Sequence, residues 1–84
     1  MTQTVSVESV KRLGELVRRT RKSQGLRQDE VGPFSHSFVG EVERGKPTAQ
    51  VGKLFDLLRE LGIRIHVELP VDVVPDHRQR KDGP

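Results

Sequence analysis

The fold of this chain is decided by residues 26–45, which read LRQDEVGPFSHSFVGEVERG. A polar run starts at Gln28, a Gly-Pro pair interrupts it, and Ser35 then precedes a second helical pattern that ends at Gly45. Proline disfavours a helical conformation in the residue before it, and serine is a preferred residue at a helix N-terminus. The stretch therefore predicts two short helices separated by a tight turn.

Helical patterns flank this stretch on both sides. Residues 10–24 carry apolar side chains at helical spacing, with Ser9 or Ser6 as the N-cap and a glycine at the C-terminal end. After the motif, Thr48 is predicted to cap a further helix that runs to Gly62. The buried side of that helix is predicted to consist of Val51, Leu54, Phe55, Leu58 and Leu61.

Residues 63–69 change to a period of two. Apolar side chains alternate there with Arg64, His66 and Glu68, which is typical of a half-buried β-strand. The N–H and C=O groups of a strand need partners, and the sequence contains no evident second strand. We therefore expect antiparallel pairing with the same strand of a second copy, with an edge strand or a disordered segment as the alternatives. The dimerisation residues would be Ile63, Ile65, Val67 and Leu69.

The composition limits the size and the chemistry of the protein. Its 84 residues are room for one marginally stable domain, and it has no cysteine for disulfides or thiolate metal sites. The net charge is only +3, yet residues 9–27 carry seven cations against one anion, Glu15. Such a cluster indicates either a phosphate-binding surface or simply a solvated helix face. The seven cations are Lys11, Arg12, Arg18, Arg19, Arg21, Lys22 and Arg27.

Several functions are not expected from this sequence. His36, His66 and His77 have no metal-ligand spacing, and a chain of this size offers little room for a water-excluding pocket. We therefore expect no enzyme activity, no metal, no cofactor and no small-molecule substrate. No stretch approaches the ~18 apolar residues of a membrane span, and the N-terminus lacks the pattern of a signal sequence. The expectation is a cytoplasmic protein that does not associate with membranes.

Residues 10–62 resemble the XRE family of helix-turn-helix regulators, which includes phage repressors. The matching segments are LGELVRRTR over 13–21, LRQDEV over 26–31 and SHSFVGEVERG over 35–45, and the most specific part is VERGK over 42–46. The family usually spaces the two helices of the motif about three residues further apart, which predicts a first helix shortened by about one turn. The resemblance implies a mainly α fold: a compact domain of four to five helices with one C-terminal strand that pairs across a homodimer.

The resemblance also implies roles for individual residues. In such folds the second helix of the motif lies in the major groove of DNA, with its N-terminal residues facing the base edges. The implied base contacts are His36, Ser37 and Glu41. The implied phosphate contacts are Arg27, Gln28, Ser35, Arg44 and Lys46. The implied structural ion pair joins Arg21 to Glu43.

Three of the residues in the motif have alternative roles. Ser35 is also suited to act only as a helix cap. Glu41 is either a surface acid that repels DNA or an acceptor for a cytosine amino group. Phe38 is either a core residue or an apolar contact for a thymine methyl group.

The segment GKPTAQ over 45–50, the leucine-rich helix and IRIHV over 63–67 together resemble HipB-type antitoxins. That resemblance implies a homodimer that binds a palindromic operator in double-stranded DNA, represses its own operon and binds a HipA-type serine/threonine kinase toxin. The alternatives are a stand-alone XRE regulator without a toxin, and a protein-interaction module with a degenerate motif. The chain is accordingly divided into a flexible N-terminus over 1–9, a DNA-binding domain over 10–62, a dimerisation strand over 63–69 and a disordered tail over 70–84.

Overall fold

The computed structural model describes residues 2–71 and residue 73. Within that part, three α-helices and one 3-10 turn follow in the order α1 (Val10–Ser23), the 3-10 turn (Gln28–Glu30), α2 (His36–Glu43) and α3 (Val51–Glu60). The mainly helical fold class is confirmed. The prediction of four to five helices is wrong, because the first helix of the motif is only a single 3-10 turn.

Helix α1 begins after Ser9, one of its two predicted caps. The Ser9 hydroxyl accepts a hydrogen bond from the Arg12 backbone N–H at 3.0 Å, which satisfies one of the free donors at the helix start. The helix ends at Ser23, one residue earlier than predicted, with Gln24 as the C-cap. Upstream of the cap, residues 2–8 are exposed and carry no regular secondary structure.

The chain between α1 and α2 is compressed into two consecutive turns. The Arg27 N–H donates to the Glu30 carboxylate at 2.7 Å, and the Glu30 N–H donates to the Arg27 carbonyl at 3.0 Å, so the 3-10 turn is closed reciprocally. The Phe34 N–H then donates to the Val31 carbonyl at 3.1 Å. Gly32, with a φ of 48°, and Pro33 follow the 3-10 turn, and neither favours continuation into an α-helix.

Helix α2 packs against α1 and closes an aliphatic core. Its N-cap is Ser35, whose hydroxyl accepts from the Phe38 N–H at 3.1 Å. At its C-terminal end the chain turns through Gly45, whose φ of 80° favours glycine. The buried apolar residues come from all three helices, the turn after the 3-10 segment and the end of α3: Val17, Val31, Phe38, Val39, Val42, Leu54, Leu57, Leu58 and Leu61.

Helix α3 begins two residues later than predicted. The Ala49 N–H donates to the Lys46 carbonyl at 3.4 Å, which places Thr48 inside a turn. The prediction that Thr48 caps the helix is therefore wrong. Gln50 occupies the N-cap position, without a side-chain hydrogen bond to the helix.

The buried face of α3 also differs from the predicted one. Val51 and Phe55 are 64% and 47% exposed, so their prediction as core residues is wrong. Leu57 is fully buried instead. The helix is rotated so that its leucines face the core and the flank with Val51 and Phe55 faces outward.

Residues 63–70 follow α3 without forming a β-strand within the described part of the chain. The Ile63 N–H donates to the Leu58 carbonyl at 2.8 Å, and its side chain packs on the core. The predicted strand is wrong for the chain by itself, because a ladder needs a second strand and no other described segment supplies one. Most of the predicted tail lies outside the described residues; the Val73 N–H donates to the Pro70 carbonyl at 3.0 Å.

Candidate nucleic-acid interface

The first turn of α2 carries exposed polar side chains. His36 and Ser37 occupy the first two helical positions and are exposed, and Glu41 lies one turn after Ser37 with partial exposure. Since an α-helix rotates by about 100° per residue, Ser37 and Glu41 share the outer face while Val39 and Val42 face the core. An imidazole and a hydroxyl supply both hydrogen-bond donors and acceptors at this end of the helix.

A buried polar network fixes α2 against α1. Arg21 binds the Glu43 carboxylate with two nitrogens, Nε to Oε2 at 2.6 Å and Nη2 to Oε1 at 3.0 Å. Its Nη1 donates to the Leu26 carbonyl at 2.8 Å, and the Gln28 amide donates to Glu43 Oε1 at 3.0 Å. The network thus joins α1, the 3-10 turn and the C-terminal end of α2 in one cluster.

The two charges of this network stabilise each other. Burial acts to raise the pKa of Glu43, but hydrogen bonds from Arg21 and Gln28 and the positive charge of Arg21 outweigh it and hold that pKa below its usual range. The hydrogen bond to Glu43 raises the pKa of Arg21 against the opposing effect of burial. Both groups are therefore ionised at neutral pH, as a bidentate pair requires.

The close approach of α1 and α2 depends on Gly14. A Cβ atom at this position would lie 2.8 Å from the Glu43 carbonyl oxygen and nearer still to the Val42 carbonyl oxygen. Both neighbours are backbone atoms, which cannot swing aside. Sequence reasoning missed this residue, although a glycine inside a helix is a signal, because it is less favourable there than alanine by ~1 kcal/mol.

Two of the predicted phosphate contacts lie together on one side of α2. A Cβ atom on Gly40 would be 3.2 Å from Arg44 Nη1 and 3.5 Å from Gln28 Oε1, so both side chains lie over this glycine. Gln28 is held there by its bond to Glu43. The structure thus brings the 3-10 turn and the C-terminal end of α2 to a common polar edge.

Other predicted DNA contacts form exposed ion pairs. Arg27 Nε is 3.1 Å from Asp29 Oδ1, and Lys46 Nζ is 3.3 Å from Glu41 Oε2. The hydrogen bond from Arg27 lowers the pKa of Asp29. Exposed pairs of this kind contribute little stability, so a phosphate can replace the carboxylate at low cost.

The opposite side of α2 carries an aromatic cluster that sequence reasoning did not identify. The rings of Phe34 and Phe38 stack with their centroids 6.0 Å apart, and Lys53 Nζ lies 4.6 Å from the Phe38 centroid. Phe38 is buried and belongs to the core, which was one of its two expected roles.

The seven cations of residues 9–27 do not form one surface. Arg21 is buried in the network, Arg12 pairs with Glu15 at 3.3 Å, and Arg27 pairs with Asp29. The basic surface is therefore smaller than the sequence suggests, and its remaining cations lie along the exposed side of α1.

Among the described residues, none of the helices combines the length and the apolar character that a membrane crossing requires. Within the same residues, His, Cys, Asp and Glu side chains do not gather in groups of three or more that could hold a metal ion.

Comparison with known proteins gives two relatives, while no protein-family model matches. The chain is 46% identical over 61 residues to y4mF of Sinorhizobium fredii (strain NBRC 101917 / NGR234), named an uncharacterized HTH-type transcriptional regulator; the match covers 69% of this chain and 80% of that protein. It is 37% identical over 70 residues to y4dJ of the same strain, which carries the same description; that match covers 77% of this chain and 90% of the relative.

Proposed function

The chain belongs to the HTH-type transcriptional regulators, and from that premise we propose that it is a sequence-specific DNA-binding repressor. The observation that carries the proposal is the first turn of α2, where His36 and Ser37 are exposed while the helix behind them is fixed by the Arg21–Glu43 pair. A helix whose outer face is polar and whose inner face is locked to the domain is suited to reading base edges in the major groove.

In this proposal His36 contacts bases through its ring nitrogens, and Ser37 contacts them through its hydroxyl. Lys46 can leave the Glu41 carboxylate and bind a phosphate instead, and Glu41 can then accept a hydrogen bond from a cytosine amino group. The exchange replaces one opposite-charge contact by another, so Lys46 stays paired while Glu41 becomes available.

Phosphate contacts surround these base contacts. Gln28 and Arg44 approach one strand from the polar edge over Gly40, and Arg27, which precedes Gln28 in the chain, adds a cation. Ser35 combines its cap with a place at the positive end of the α2 dipole, where phosphate is stabilised. Such contacts set the register of the protein on DNA but carry no sequence information themselves.

We propose that the working species is a homodimer on a palindromic operator. Ile65, Val67 and Leu69 are 45%, 73% and 45% exposed, and they alternate with polar residues. Pairing of residues 63–69 with the same segment of a second copy supplies the missing backbone partners, and Ile63 connects this pairing to the core.

We further propose that the dimer is the antitoxin of an autoregulated operon and that it binds a HipA-type serine/threonine kinase toxin. Support comes from the resemblance of residues 45–50 and 63–67 to such antitoxins. Affinity purification from the native cell after nuclease treatment tests this partner. A co-purifying kinase is the expected result, and purification of the dimer alone indicates a stand-alone regulator.

The DNA-binding proposal is tested by selecting duplexes from a randomised pool and measuring affinities by fluorescence anisotropy. We expect His36→Ala and Ser37→Ala to change the preference at particular base pairs by ~1–3 kcal/mol. Ser23→Ala, the same change at an exposed serine of α1, is the matched control and should leave the preference unaltered. An equal loss on all sequences contradicts base contact, and a wild-type protein that enriches no duplex contradicts the function.

A further inference from the structure

A lysine on α3 is positioned beside the first turn of α2. Lys53 Nζ lies 4.6 Å from the centroid of the Phe38 ring, and the Phe38 N–H is the donor to the Ser35 cap. Phe38 is itself braced by Phe34 at a centroid distance of 6.0 Å. The ammonium group is therefore held next to the end of α2 that the proposed function places in the major groove.

Lys53 and the polar edge of Gln28 and Arg44 lie on opposite sides of α2. Gln28 and Arg44 lie over Gly40, whereas Lys53 lies over Phe38. Two positions in sequence correspond to about 200° of rotation around an α-helix, so side chains over these two residues flank it from both sides. A helix in the major groove likewise has a phosphate strand on each side of it.

The charge of Lys53 is not neutralised by the described part of the chain. Its side chain is exposed, and no carboxylate among the described residues lies within 4.0 Å of it, whereas Lys46, Arg27 and Arg59 all have acidic partners. Contact with an aromatic face leaves the ammonium free to donate hydrogen bonds while restricting where it moves. The Lys53 side chain therefore loses little further conformational entropy when it binds a phosphate.

We propose that Lys53 binds a DNA phosphate on the α3 side of α2, opposite the strand contacted from Gln28 and Arg44. This inference rests on the proposed function and names a contact that the helix-turn-helix motif itself does not contain. Phe38 positions the lysine, and Lys53 thereby fixes how α2 is seated between the two strands.

The test measures binding of the full chain to a mixed-sequence duplex of about 30 base pairs between about 50 and 200 mM salt. The affinity falls as salt rises, and each phosphate contact adds ~0.9 to the magnitude of the negative slope of log K against log salt. Lys53→Met should therefore make the slope shallower by that amount. Its loss of affinity should accordingly be about 3-fold larger at the lower salt concentration. Lys53→Arg should keep the slope, since it keeps the charge over the ring.

Arg59→Met is the matched control. It removes one cation from the same helix, but Arg59 is already paired with Asp56, unlike Lys53, so the slope should not change. A slope that Lys53→Met leaves unaltered overturns this inference, even if thermal unfolding shows that the cation–aromatic contact stabilises the fold. A wild-type protein with no salt-dependent binding to the duplex overturns the proposed function as well, so the two failures are distinguishable.

Discussion

The junction of α1 with α2 and the segment over residues 63–71 use their side chains in opposite ways. At the junction every side-chain nitrogen and oxygen of the buried Arg21–Glu43 pair has a hydrogen-bond partner, and among the described residues no buried side-chain nitrogen or oxygen lacks one. Along the segment, apolar side chains are exposed, up to 99% at Val71. The buried polar groups of the junction are all paired within a single chain, whereas the segment over residues 63–71 exposes apolar surface that association could bury.

This difference separates stability from assembly. A small domain has little hydrophobic surface to spare, so its stability depends on dense contacts such as the junction. Residues that stay exposed contribute little to the free energy of unfolding and are free to form an interface. Substitutions at the junction should therefore unfold the protein, and substitutions in the segment should change only its association.

The largest effect is expected for Gly14→Ala. The new methyl group would collide with the carbonyl oxygens of Val42 and Glu43, so α1 and α2 must separate at the cost of about 3 kcal/mol in the free energy of unfolding. Chemical denaturation followed by circular dichroism measures it. Gly52→Ala is the matched control, because its Cβ would meet nothing within 4 Å and should stabilise α3 by up to ~1 kcal/mol. Equal effects of the two changes would refute the close approach.

A loss of nearly the same size is expected for Arg21→Met. The change leaves the Glu43 carboxylate buried with only Gln28 as a partner. Breaking a buried pair costs ~3–5 kcal/mol, and the loss should lie at the lower end of that range because Gln28 still donates to one carboxylate oxygen. Arg12→Met is the control, since its pair with Glu15 is exposed and is worth less than ~1 kcal/mol. If both variants unfold at the same denaturant concentration, the buried network does not hold the junction.

The parts of this molecule that sequence predicts best are those that local chemistry specifies. Ser35, and Ser9 as one of two candidates, are confirmed as caps, because a serine hydroxyl at the start of a helix satisfies a free backbone donor. Thr48 is predicted by the same kind of local rule, and that prediction is wrong; the predicted strand does not form within the described part of the single chain. A turn from Lys46 to Ala49 delays α3, and a strand needs a partner that periodicity cannot supply.

The candidate site shows the same limit. The residues of the motif were found by resemblance, but the position of Lys53 beside Phe38 depends on how α3 is rotated about its axis. The sequence pattern predicts Val51 and Phe55 in the core, which corresponds to a wrong rotation of α3 about its axis, because both side chains are exposed. Such a rotation is decided by packing among several helices and not by the pattern within one of them.

A smaller, pH-dependent effect is expected from Glu43. Its pKa is lower in the folded chain than its ordinary value of 4.5, so its stabilising contribution is complete above that pH and is lost as the pH falls through the folded-state pKa. The free energy of unfolding should therefore decrease on acidification below about 4.5. Glu43→Gln lacks the titrating group and should show a shallower decrease, measured by denaturation at a series of pH values. Identical pH profiles would contradict the role of the carboxylate.

The smallest effect on the fold is expected for Val67→Asp, a change in the exposed segment over residues 63–71. Val67 is 73% exposed, so the substitution should change the free energy of unfolding of the monomer by no more than about 0.5 kcal/mol. In the proposed dimer the new carboxylates would be brought close together at the paired strands, so sedimentation should detect monomers at concentrations where the wild type is dimeric. Val71→Asp lies beyond the proposed strand and should remain dimeric. A Val67→Asp variant that is still a dimer would place the interface elsewhere, and the exposed flank of α3 with Val51 and Phe55 is then the next surface to change.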